Sequence, residues 1–173
     1  RPMEYSKGDA LTGLKLSNGE NLPSLEQYLK VGKEHNTKLI LELKALNSKK
    51  RETKAVQEIL ATVKKMGLES RMEYITFSLH AMKEFIRLAP AGTPVFYPNG
   101  ELSPKDLKEL GGARLDYHIG VIKKHPEWIK EAHDLGLKVN VWTVDEAEEM
   151  KWLIEQKVDF ITTNEPVVLL EEL

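Results

Sequence analysis

The 173-residue chain contains no cysteine. Disulfides, thiolate nucleophiles and zinc-thiolate centres are therefore excluded, and the redox compartment is left open. Charge of one sign is also lacking in excess: 25 Lys and Arg are interspersed with 27 Asp and Glu, for a formal net charge of -2. That balance argues against a nucleic-acid-binding face. The longest apolar runs, such as Val167-Val168-Leu169-Leu170, are far too short to span a bilayer, and Arg1-Pro2-Met3-Glu4-Tyr5 does not read as a signal peptide. No glycine-rich phosphate fingerprint follows any strand, which weakens a nucleotide-binding doubly wound sheet. What remains, at 41% hydrophobic and 30% charged, is a soluble chain long enough for one cored domain.

Residues 1–23 carry little periodicity and read as an irregular lead-in, with residues 24–173 forming a single domain. Ser24 caps a helix running to about Asn36. Leu39-Ile40-Leu41-Glu42-Leu43-Lys44 then reads as a strand with Leu39, Leu41 and Leu43 on one face and Ile40, Glu42 and Lys44 on the other. Between two helices it is expected to be buried on both faces. Two ionisable groups on one such face persist if paired, bound to a metal or facing a wet site.

Lys49 to Met66 carries Val56, Ile59, Leu60 and Val63 on one helical side, and Gly67 stops it. The alternation continues with strands at Tyr74–Ser78 and Pro94–Tyr97, and helices at Ala81–Leu88 and from Ser103 to Leu110. Leu115–Ile119 is a weaker extended piece, followed by a helix at Pro126–Leu135. Lys138–Thr143 is the clearest strand, Asp145 is expected to N-cap a helix to Gln156, Asp159–Thr163 is the last strand, and Pro166 opens a terminal helix.

Strand-then-helix repetition implies an α/β fold with a parallel sheet, doubly wound or closed as a TIM-type (β/α) barrel. A barrel gathers its chemistry at the C-terminal ends of its strands, where Glu42, Lys44, Trp142, Thr143 and Asn164 fall. Full barrels need roughly 250 residues and eight units. Five good strands and one weaker one suggest an incomplete barrel lacking about its first three strands.

Leu22-Pro23-Ser24-Leu25-Glu26, Leu41-Glu42-Leu43-Lys44, Thr76-Phe77, Val141-Trp142-Thr143-Val144 and Ile161-Thr162-Thr163-Asn164-Glu165-Pro166 occur in that order. Together they resemble the glycerophosphodiester phosphodiesterases, TIM-barrel enzymes that cleave glycerophosphodiesters to glycerol 3-phosphate and an alcohol. The resemblance runs from about Leu14 to the C-terminus. It implies that Glu42 is a ligand to a divalent metal, Ca2+ or Mg2+, that Lys44 lies near the substrate phosphate, and that Trp142 and Phe77 line the pocket. Asn164 stands where an Asp is common. The family's His-Arg-Gly, Glu-x-Asp and His-Asp strand motifs are absent, so no catalytic residue is expected in this chain and it is expected to be inactive alone. His133-Asp134 lies within a helical pattern and reads as surface; of the five histidines only His118 sits near a strand end.

Several blander readings stand beside these. Glu42 and Lys44 also suit a structural ion pair, Trp142 suits core packing, and Asp116 and Tyr117 read as a strand-end cap and packing. The alternative function is a non-catalytic phosphate-binding or structural module. The expected partner is a small glycerophosphodiester, with possible homo-oligomers formed through exposed barrel edges.

Overall fold

The computed structural model describes Gly19, Asn21 and residues 23–173. The expected lead-in over residues 1–23 therefore lies almost wholly outside the described residues.

Helices start where serines stand. Ser24 caps α1 (Leu25–Glu34) in a reciprocal capping box with Gln27, Ser48 caps α2 (Lys49–Met66), Ser78 caps α3 (Leu79–Leu88), and Ser103 caps α4 (Pro104–Glu109). Each serine hydroxyl accepts a backbone N–H that has no partner within the helix. Gly67, in the left-handed region at φ 69°, ends α2 as expected. The remaining helices are α5 (Ile119–Lys124), α6 (Glu127–Asp134), α7 (Ala147–Glu155) and α8 (Pro166–Glu171). Asp145 does not cap α7: that position belongs to Glu146, which makes no side-chain cap, because the Asp145 carboxylate accepts from Asn164 and Thr163 instead.

The six strands are β1 (Leu39–Leu43), β2 (Met72–Thr76), β3 (Val95–Phe96), β4 (Arg114–His118), β5 (Lys138–Trp142) and β6 (Phe160–Ile161). The second strand starts two residues before the expected Tyr74. The extended piece around Leu115 is a full strand, held by parallel pairing along all of β5. Two three-stranded parallel sheets result, β1-β2-β3 and β4-β5-β6. The Ala113 N–H donates to the Val95 carbonyl at 3.2 Å where they meet. The strands thus follow one another in chain order as a wall with all C-terminal ends on one side. Among the described strands, β1 pairs only with β2 and β6 only with β5, so the wall does not close.

The face toward the helices forms one core, with Leu115, Tyr117, Val139 and Val141 from the strands and Phe85, Ile122, Met150 and Leu153 from the helices all fully buried. Side chains of this size each contribute about 1.5–3 kcal/mol on burial. Tyr74 stacks on Phe85 with centroids 4.5 Å apart, and burial pushes its phenol up to about 12.

The other face is more polar. Toward the strands' N-terminal ends the buried Glu73 accepts from Lys38 at 3.0 Å and lies 3.5 Å from Arg114, whose guanidinium is within 4.4 Å and 4.2 Å of the Phe96 and Phe160 ring centres. This cation–π sandwich seals the base of the wall.

The expectation that β1 is buried on both faces fails. Leu39, Leu41 and Leu43 are half-buried against the core, but Ile40 is 57% exposed and Glu42 lies on the same open side. No second layer covers that side among the described residues. A groove of about 710 Å³ runs along the edge of β1 beside α1, lined by Tyr28 and by residues from both faces of the strand, Ile40 and Leu41. Exposed apolar residues collect at the opposite edge too, in Phe160 and in Val167 and Leu170 of α8.

Candidate functional site

Parallel strands deliver their final residues to one rim, and here that rim encloses a cleft of about 440 Å³. Glu42 and Lys44 come from the end of β1, Phe77 from just beyond β2, Pro98 from beyond β3, Trp142 and Thr143 from the end of β5, and Thr162 from beyond β6. Four residues expected from the sequence to form a site, Glu42, Lys44, Phe77 and Trp142, are therefore brought together.

Lys44 Nζ donates to Glu42 Oε1 at 2.5 Å and stands 5.4 Å from the Phe77 ring centre. The pair is partly exposed, so its net contribution to stability is about 0–1 kcal/mol. A phosphoryl group entering the cleft gains a cation that is already held in place. Trp142 stands edge-on to both Phe77, at 6.0 Å, and His118, at 5.2 Å, and its Nε1–H donates to the Asp116 backbone carbonyl at 3.1 Å. The indole is thus packed and also faces the cleft. His118, at the end of β4, is exposed; its Nδ1 accepts from the Gly120 N–H and starts α5. His133 lies on the surface of α6, its Nε2 3.0 Å from Asp159, as expected for a surface helix. Asn164 does not line this cleft: its backbone and side-chain N–H groups donate to Asp145.

Sequence reasoning missed two carboxyls. Asp116 is not a strand-end cap. It sits mid-strand, 4% exposed, on the cleft floor, where Asn140 Nδ2 donates to its Oδ1 at 2.6 Å. Burial pushes its carboxyl above the ordinary range, against the lowering effect of the Asn140 hydrogen bond. Asn140 is tied in turn to Thr162 Oγ1 at 3.1 Å, so β4, β5 and β6 share one polar row. Strict alternation in Leu115-Asp116-Tyr117 and Val139-Asn140-Val141 carries the signal: the apolar partners face the helices, so the polar residues face inward. Tyr117 does pack in the core, its hydroxyl donating to the Leu102 carbonyl at 2.7 Å.

Glu52, near the start of α2, is also 4% exposed. One of its carboxylate oxygens accepts from the Leu46 N–H at 3.0 Å and the other from the Ser78 hydroxyl at 2.8 Å. It therefore ties the loop after Lys44 to the loop after Phe77. Its position on a helical face otherwise occupied by Val56 and Val63 was the available clue.

A hard divalent cation takes six or more oxygen ligands, several of them carboxylates. Among the described residues no group of three or more His, Asp or Glu is placed to hold one. Glu42 already accepts from Lys44. The described residues do not by themselves make a complete metal site.

Residues 4–168 match the model of the glycerophosphoryl diester phosphodiesterase family. A glycerophosphodiester phosphodiesterase of Caldanaerobacter subterraneus subsp. tengcongensis is 24% identical over 117 residues, which is 66% of this chain and 47% of that protein. The chain thus spans about half the length of the curated relative it matches. Among solved structures, a glycerophosphodiester phosphodiesterase from Parabacteroides distasonis superposes with a TM-score of 0.87 at 49% identity, over 94% of this chain and 68% of that one. An Oleispira antarctica phosphodiesterase, solved with the product sn-glycerol-3-phosphate, shares the fold with a TM-score of 0.70 at 17% identity, over 87% of this chain and 60% of that one.

Proposed function

We propose a function from one premise: the chain belongs to the glycerophosphoryl diester phosphodiesterase family. The intact protein is a phosphoric diester hydrolase that splits a glycerophosphodiester into glycerol 3-phosphate and an alcohol. Residues 24–173 are the C-terminal portion of its TIM-type barrel, and about three strands complete the wall between β1 and β6. The solvent-exposed inner side of β1 and the apolar residues at both edges support that reading. Those edges, which carry no further partner among the described strands, suit pairing with another copy of the chain. No helix among the described residues is long and apolar enough to cross a membrane.

The observation that carries the proposal is the convergence of Lys44, Glu42, Phe77 and Trp142 on one cleft at the strands' C-terminal ends. Lys44 supplies a positive charge for the phosphoryl oxygens, and Phe77 and Trp142 form apolar walls that exclude water around it. Glu42 provides one carboxylate toward a divalent-metal site, Ca2+ or Mg2+, whose other ligands come from outside the described residues. Diester hydrolysis also needs a base for the attacking water and an acid for the leaving oxygen. Among the described histidines, His118 is occupied in starting α5 and His133 is on the surface, so neither serves these roles.

A second reading, a non-catalytic phosphate-binding module, is favoured by one observation: one carboxylate oxygen of Glu42 is already engaged by Lys44 within the chain. One assay separates the two. Release of glycerol 3-phosphate from a glycerophosphodiester is measured with and without a chelator, for this purified chain and for the protein extended by its N-terminal strands. Chelator-sensitive turnover by the extended protein alone is the expected result. Inactivity of both supports the binding module, and turnover by this chain alone refutes the division of the site.

A further inference from the structure

Asp116 is a buried carboxyl with a single donor. Among the described residues only Asn140 hydrogen-bonds to it, at Oδ1, and no cation pairs with it directly. The nearest cation in the same wall, Arg114, lies against Glu73 and between two aromatic rings. A carboxyl taken out of water with so little compensation is costly, and an apolar side chain of similar volume would pack this layer at least as well. Among the described residues no buried side-chain oxygen is left without a partner, so the oxygen that Asn140 does not engage opens on the cleft that Asp116 lines. Its position is well determined: Asn140 holds the carboxyl from β5, and the Trp142 indole N–H holds the backbone of the same residue.

We infer that Asp116 is a specificity-determining residue which accepts a hydrogen bond from a hydroxyl group of the substrate while Lys44 holds its phosphoryl group. The inference rests on the phosphodiesterase reading above and names what that reading leaves open, namely how the cleft tells a polyol phosphate from any other phosphate ester. The phosphoryl group itself does not suit Asp116, because two acceptors would face each other. A cationic head group suits it poorly as well, since the Lys44 ammonium already lies over the Phe77 ring in the same cleft. A hydroxyl brings a donor without net charge, and the hydrogen bond it makes to a carboxylate is of the stronger, charge-assisted kind. Phosphate at the β1 rim and hydroxyl on the β4 floor would orient a glycerol phosphate across the cleft.

The test measures binding of three ligands to the purified chain by calorimetry: glycerol 3-phosphate, n-propyl phosphate, which has the same carbon chain without hydroxyls, and phosphoethanolamine. The wild-type chain is expected to prefer glycerol 3-phosphate over n-propyl phosphate about tenfold, or about 1.4 kcal/mol. Asp116→Ala is expected to weaken glycerol 3-phosphate by that factor and leave n-propyl phosphate unchanged. Asp116→Asn keeps the volume and guards against a folding defect in the alanine variant; a neutral acceptor should reduce the preference to about threefold. The inference is overturned if both ligands weaken equally, if the preference survives both substitutions, or if phosphoethanolamine binds best to the wild type alone. Failure of all three esters to bind the wild type would instead refute phosphate recognition by the cleft, and the inference with it.

Discussion

Replacing Glu52 by Ala tests whether one buried carboxylate holds the two loops of the cleft together. The substitution removes an acceptor from the Leu46 N–H and from the Ser78 hydroxyl, both part-buried. A hydrogen bond to a charged group contributes about 1.5–3 kcal/mol, and a buried donor left unmade costs about 1–3 kcal/mol. Ser78 keeps its own acceptor role toward the Ala81 N–H and can turn its proton to solvent, so most of the penalty falls at Leu46. The expected loss is about 2–4 kcal/mol, read as a fall in the urea midpoint at constant slope. Glu52→Gln should recover more than half of it, because the amide oxygen accepts from Leu46 while the amide nitrogen donates to Ser78. The double variant with Ser78→Ala should lose less than the sum of the single losses, by about 1 kcal/mol, since the two groups share one bond. If the Ala variant lies within about 0.5 kcal/mol of wild type, an ordinary surface value, or if Gln is as damaging as Ala, the bridging role is refuted.

Lys44→Gln should cost less than about 1 kcal/mol of stability, because its pair with Glu42 is partly exposed, yet weaken phosphate-ester binding at least tenfold in calorimetry. Asp116 titrates above its unfolded value, so the folded state holds the proton more tightly. Its contribution to stability therefore falls as pH rises from the ordinary carboxylate range through the raised folded value, and the urea midpoint of Asp116→Asn should lack that decline. Asp159 behaves in the opposite sense. Burial alone would raise its carboxyl, but the Val139 N–H at 2.8 Å and His133 hold it below the ordinary range. It stabilises the fold above its unfolded value, and that stabilisation is lost as pH falls through the depressed one. Asp159→Asn should be less stable at neutral pH, and the gap should close under acid conditions.

Much of the fold was legible because its signals are local. Serine caps at positions 24 and 103, the stop at Gly67 and the apolar stripe of α2 act over three or four residues, and the structure places helices there; Ser78, expected as the end of a strand, instead caps α3. The exception, Asp145, shows the limit. Its side chain is suited to a cap, but donors from Thr163 and Asn164, 18 and 19 residues away, claim it. Likewise the weak strand around Leu115 gained its definition from full pairing with β5.

The sequence by itself determined the order of strands and helices apart from the short α5, the period-two faces of β1, and the set of motif residues, Glu42, Lys44, Phe77 and Trp142, that a parallel wall must deliver to one rim. Only the tertiary structure decided which carboxyls matter beyond them. Asp116 meets Asn140 across 24 residues of chain, and Glu52 meets Ser78 across 26. It also decided that the inner side of β1 faces solvent, which period-two patterning cannot tell. The physical reason is common to both: periodicity and capping report how a residue relates to its own element, while burial, pairing and a shifted pKa are set by what other elements place opposite it.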